Sequence, residues 1–128
     1  MAVWQFECNI VSIKNIENSN DVVSWKNVEQ PIMDINFLSK EKSWSQNIIQ
    51  FGKVDETCIE FIFDNGIIVE ILCRLDVRSL TKNTLLYLVE YVKRIDAMFL
   101  VDNLLYPPNC DIIIEVIKKS KANQYFNT

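Results

Sequence analysis

The chain has 128 residues, about half of them apolar, which suits one domain with a packed interior and leaves little for a second core. It contains no histidine and only two glycines, which excludes Ser-His-Asp and Cys-His nucleophile activation, histidine metal ligands, P-loops and G-x-G-x-x-G turns. With 17 acidic against 13 basic side chains the net charge is −4, and an acidic chain is repelled by nucleic-acid phosphates.

Residues 1–10 lack the basic start and long apolar stretch of a signal peptide, and no apolar run reaches the ~20 residues of a membrane span. The expected location is therefore the cytoplasm, with the mature chain starting at Met1. Residues 3–13 alternate, with Trp4, Phe6, Cys8 and Ile10 on one side and Gln5, Glu7 and Asn9 on the other. That period predicts a half-buried strand. Residues 15–21 read as a turn-rich loop. Residues 21–31 fit either a short helix opened by Asp21 or a strand, ended by Pro31. Residues 32–38 fit a further short strand, residues 39–46 an exposed polar loop around Trp44, and residues 47–53 a strand stopped at Gly52.

Two strand-like runs then flank Asp64, Asn65 and Gly66. A two-residue loop would set Phe63 opposite Ile68 and Phe61 opposite Glu70, facing an apolar row with a mixed one. A three-residue loop sets Phe63 against Ile67, Phe61 against Val69, Ile59 against Ile71 and Thr57 against Cys73. One face is then nearly all apolar, so burial favours this register, with Gly66 in the left-handed position. It places Glu60 and Glu70 opposite each other on the outer face, among Cys58, Ile62, Ile68 and Leu72. Like charges across strands repel unless they are wet or a cation is near, and Arg74 on the same face can serve. The pair reads either as a solvated sheet face or as an acidic patch awaiting a basic partner.

Thr81 is placed to cap a helix, with Leu80 and Leu85 at hydrophobic-staple spacing. Leu85, Leu88, Val89, Val92 and Ile95 form its core-facing stripe, and Lys93 and Arg94 suit the negative end of its dipole. Residues 97–101 read as a strand, Asp102 and Asn103 as a turn, and Pro107 and Pro108 end the returning strand. Asn109 or Asp111 caps a final helix whose apolar face is Ile112, Ile113, Val116 and Ile117. Lys118, Lys119 and Lys121 read as its solvated end, and the chain is expected to fray from about Ser120. The expectation is a single α+β domain over residues 1–128, a two-layer arrangement of a mainly antiparallel sheet with two amphipathic helices packed on one face.

Cys8, Cys58, Cys73 and Cys110 lie beside apolar residues and form no C-x-x-C pair, so reduced, mostly buried thiols are expected, with no metal or cofactor. A carboxylate pair drawn from Asp55, Glu56, Glu60 and Glu70 is the conceivable general acid and base, and no spacing singles out any pair. Trp25 and Trp44 fit core or edge positions, or interface anchors. The residues themselves lead to a soluble acidic α+β domain with little means of catalysis.

Taken together, "FLSKEKSWSQNIIQFGKVDETCIEFIFDNG", "CRLDVRSLTKNTLLYLVEYVKRIDAMFLV" and "YPPNCDIIIEVIKKSKAN" resemble the small immunity proteins of bacterial polymorphic-toxin and contact-dependent growth inhibition systems. The opening "MAVWQFECNIV" and the later "SWKNVEQP" fit the same pattern, so the resemblance covers most of the chain. It implies an inhibitor that binds one cognate C-terminal toxin domain, often a nuclease, either across its active site or on a remote surface. The resemblance carries no functional residues with it. A basic nuclease would be steered by an acidic partner. On that expectation Asp55, Glu56, Glu60 and Glu70 mimic phosphates, and Trp44 is an apolar anchor beside them. Two other classes stay open: a non-catalytic adaptor or assembly subunit, and a carboxylate-dependent enzyme.

Overall fold

The computed structural model describes residues 2–16 and 21–125. The N-terminal alternation becomes β1 (Gln5–Ser12), and its apolar side, Phe6, Cys8 and Ile10, is buried. One helical turn, α1 (Ile13–Ile16), follows where the loop was expected to open. Residues 17–20 of that loop lie outside the described residues.

Residues 22–39 form neither the helix nor the strands expected of them. Their polar groups are satisfied by other parts of the chain instead of by a local ladder. The Trp25 backbone N–H donates to the Val69 carbonyl at 3.0 Å, and its indole N–H donates to the Ile10 carbonyl at 2.8 Å. Asn15 Nδ2 donates to the carbonyls of Asp21 and Ser24, and the Tyr91 hydroxyl donates to the Ile32 carbonyl.

A meander comes next: β2 (Lys40–Glu41), β3 (Ile48–Phe51), β4 (Cys58–Asp64) and β5 (Ile67–Asp76). The β4–β5 hairpin departs from the expected register. Its loop holds only Asn65 and Gly66, with φ of 52° and 76°, as a tight hairpin turn requires, and Phe63 opposes Ile68. The apolar rows still meet, because Val69 is an extra residue on β5. Past this bulge Ile62 opposes Glu70, Phe61 opposes Ile71 and Ile59 opposes Cys73. Glu60 therefore faces Leu72, not Glu70, and Ile68 lies in the core instead of on the outer face. The two alternatives weighed from the sequence each held a part of this: a short loop at the tip, and apolar pairing further along.

The expected capping of α2 (Lys82–Arg94) is present, with the Thr81 hydroxyl accepting from the Thr84 backbone N–H at 3.1 Å. Leu85, Leu88, Val89 and Val92 are buried as the stripe requires, and Tyr91 joins them. The chain returns as β6 (Ala97–Val101) and β7 (Leu104–Tyr106), turning at Asp102 and Asn103 with φ of 48° and 67°. Asn109, not Asp111, caps α3 (Cys110–Lys118), accepting from the Ile112 N–H. The chain does not fray at once after α3: Lys121–Tyr125 form a 3-10 turn that buries Ala122.

The sheet order is β2-β3-β4-β5-β1-β6-β7, antiparallel throughout, so β1 sits inside the sheet between β5 and β6. The inward sides of α2 and α3 pack with Phe6, Ile10, Phe61, Ile71 and Phe99 in one core on one face of the sheet. This is the two-layer α+β architecture expected. Cys8, Cys58 and Cys73 are buried free thiols, and Cys110 is half-buried.

The two glycines separate two costs. At Gly52, φ is +81° and an added Cβ would lie 2.0 Å from the Thr57 carbonyl oxygen, whereas Gly66 at φ +76° has open space around it. Gly66→Ala is expected to lose about 1 kcal/mol from backbone strain alone, and Gly52→Ala about 3 kcal/mol or more, because backbone must also move. Urea unfolding of the two variants measures the difference, and equal losses would contradict the close approach at Gly52.

Candidate functional site

The face of the sheet opposite the helices is set by alternation. β1 contributes Gln5, Glu7 and Asn9, β3 contributes Gln50, β4 contributes Cys58, Glu60 and Ile62, and β5 contributes Glu70, Leu72, Arg74 and Asp76. A row of Gln50, Glu60, Leu72 and Asn9 runs across four strands, each opposite the next.

Glu60 lies at the centre and is only 3% exposed. The bulge at Val69 makes Arg74 its diagonal neighbour, and Arg74 Nη1 donates to Glu60 Oε1 at 2.5 Å. On the other side Arg74 Nε is 3.6 Å from Glu7 Oε1. The role anticipated for Arg74 is thus filled, toward Glu60 and Glu7. A buried carboxylate needs such a partner, because without one its desolvation is uncompensated. Glu70 instead accepts from Asn9 Nδ2 at 3.3 Å. Gln50 donates through Nε2 to the Gly52 carbonyl, and neither its Oε1 nor Arg74 Nε has a hydrogen-bond partner among the described residues.

Two loops reach this face. Residues 53–57 are tied to the start of the chain by their carbonyls: Gln5 Nε2 donates to Val54 and Glu56, and the Trp4 indole donates to Asp55. The Asp55 and Glu56 side chains stay exposed. Trp44, in the loop between β2 and β3, is 79% exposed. Trp44, Val54, Asp55, Glu60 and Arg74 line one cavity of about 310 Å3 with Ala2 and Gln5.

Three of the five residues singled out from the sequence, Trp44, Asp55 and Glu60, therefore come together. Glu70 shares the face beyond Leu72. Glu56 does not join them: it lines a different cleft, with Lys53, Leu38, Gly52 and Leu80. Glu60 is also not a free charge, since Arg74 holds it. Glu7 and Gln5 were legible on the right side of β1 by alternation, but no spacing marked them as neighbours of Glu60. Only the β5–β1 pairing supplies that.

A second cluster adjoins the first. Arg78 binds Asp76 through Nε and Nη2 at 3.0 and 2.8 Å, and its guanidinium lies 3.9 Å from the centre of the Trp4 ring. The charges of Asp55 and Glu56 also act on Arg78. Carboxylates thus outnumber guanidiniums across this end of the face: Glu7, Asp55, Glu60, Glu70 and Asp76 against Arg74 and Arg78.

Burial, with Glu60 adding to it, pushes the Cys58 thiol up to about 12, so it stays protonated at neutral pH and is no nucleophile. Among the described residues no three Cys, Asp or Glu side chains are grouped to hold a metal ion. No family model, no curated protein and no solved structure matches the chain.

Two measurements check these contacts. Arg74→Met should cost about 3 kcal/mol, because it strands Glu60 in a desolvated position, and adding Glu60→Met should restore most of the loss. A double variant no more stable than Arg74→Met would show that Glu60 does not depend on Arg74. The Arg78 hydrogen bonds hold the Asp76 carboxyl below the usual carboxylate range. A depressed folded value gives stability that is present above the unfolded value of about 4 and is lost as pH falls through the folded value. Asp76→Asn should flatten that acid limb in pH-dependent thermal melts, and an unchanged limb would contradict the assignment.

Proposed function

We propose that this chain is an immunity protein that binds and neutralises a cognate secreted toxin domain, a basic nuclease domain fitting best, and does so in the cytoplasm. The observation that carries the reading is the cavity on the outer sheet face, where a water-exposed Trp44 adjoins the carboxylates of Asp55 and Glu60. Negative potential speeds encounter with a basic domain, and a desolvated aromatic supplies the contact energy. The charges that meet the partner are Glu7, Asp55 and Glu70. Glu60 acts through Arg74, which it orients toward the cavity beside Trp44. The sequence resemblance to immunity proteins agrees with this reading.

The test begins with the coding sequence immediately upstream. A large secreted protein with a variable C-terminal domain is expected there, and co-expression of this chain should rescue cells that produce that domain. A stable complex that leaves the domain's activity intact would instead identify an adaptor. Trp44→Ala and Glu70→Lys change exposed or half-exposed groups and should leave the melting temperature within a few degrees. Each should raise the dissociation constant for the toxin domain about tenfold or more. Unchanged constants in both variants would place the interface elsewhere.

A further inference from the structure

Glu60 lines the cavity beside Trp44 and is 3% exposed, yet only one of its oxygens is engaged. Oε1 accepts from Arg74 Nη1, and Oε2 accepts no hydrogen bond among the described residues. A carboxylate this deeply placed seeks donors at both oxygens, and leaving one unmet costs free energy. Gln5, the other buried polar residue of the lining, is used at both ends instead. Its Nε2 donates to the Val54 and Glu56 carbonyls, and its Oε1 accepts from the Ala2 backbone N–H. The unmet acceptor of the cavity is therefore Glu60 Oε2, with the exposed Asp55 carboxylate at its rim.

Charge selects what enters. Asp55 and Glu60 stand around the cavity against Arg74. The Arg74 charge is already answered: Glu60 holds Nη1, and Glu7 Oε1 lies 3.6 Å from Nε, an atom buried from solvent. An entering anion would meet three carboxylates for one guanidinium and would leave Oε2 without a donor. An entering cation supplies that donor and gains Asp55 as a second partner. Trp44 adds an indole wall on which a long aliphatic stem or a charged head can lie. At about 310 Å3 the space suits one long side chain.

We propose that this cavity receives a single lysine or arginine side chain of the partner protein, its charged head donating to Glu60 Oε2 and Asp55 and its stem lying on Trp44. This rests on the reading of the outer face as the partner-binding surface. It adds to that reading one fixed anchor point. Arg74 holds Glu60 through Oε1, so the acceptor at Oε2 is set in place before the partner arrives. Glu7 and Glu70 lie outside the cavity and act on the encounter at longer range.

The probes are butylammonium and butylguanidinium, two heads on one stem, titrated at constant ionic strength into the isotope-labelled full chain. Backbone amide shifts and the Trp44 indole shift are followed. Saturable shifts at Trp44, Val54, Asp55 and Glu60 are expected with at least one probe, and the tighter of the two names the head that fits. Glu60→Gln removes the buried charge and should weaken binding about tenfold. Asp55→Asn and Trp44→Ala change exposed groups, so they keep the fold, and each should weaken it about threefold. Asp111→Asn, on α3, should leave it unchanged. Absence of saturation with both cations would overturn the proposal, as would equal shifts with butyrate or shifts spread over carboxylates elsewhere. Rescue of toxin-producing cells without cation binding overturns this anchor alone. Cation binding without rescue upholds the anchor and overturns the immunity reading alone.

Discussion

The single extra residue at Val69 determines much of this molecule. A tight Asn65–Gly66 turn fits the hairpin tip, yet without a bulge it would set Glu70 against Phe61. Inserting Val69 lets the short turn and the apolar pairing coexist. It also frees a carbonyl, and Trp25 takes it through its backbone N–H. Gln30 completes the exposed side of the same strand, accepting from the Ile68 N–H and donating to the Ile68 carbonyl. The irregular segment over residues 22–39 is thus held in place by β5 backbone groups that β4 does not take.

The same shift organises the charges. Head-on acids across β4 and β5 would repel, and the bulge separates them by placing Leu72 opposite Glu60 and Ile62 opposite Glu70. Arg74 then becomes the diagonal partner of Glu60 and reaches Glu7 beyond it. A carboxylate that looked like free surface charge is a buried half of an ion pair, and the charges open to solvent lie around it. Neighbouring cations also lower the local negative potential, so the outer face presents a graded field instead of a block of acids.

The two surfaces sit at different parts of one sheet and differ in kind. The face around Trp44 pairs an exposed aromatic with carboxylates. The groove between β7 and α3 has mostly apolar walls, with Asp102, Asp111, Glu115 and Lys119 among its lining. Between them β1, paired on each side, gives the sheet a continuous hydrogen-bonded centre.

The sequence by itself determined the α+β class, the β1 alternation, the β4 and β5 runs, α2 with its Thr81 cap, the turn at Asp102 and Asn103, and the outward placement of Glu60 and Glu70. Those features rest on local period, capping and turn chemistry, which act within a few residues. Only the tertiary structure decided the bulge, the irregular path of residues 22–39, the pairing of Arg74 with Glu60, the separation of Glu56 from the cavity and the exposed flank of α3 at Ile112. Each depends on which backbone carbonyl or charged group a distant residue brings within hydrogen-bonding distance, and residues as far apart as Trp25 and Val69 leave no trace of that meeting in their own spacing.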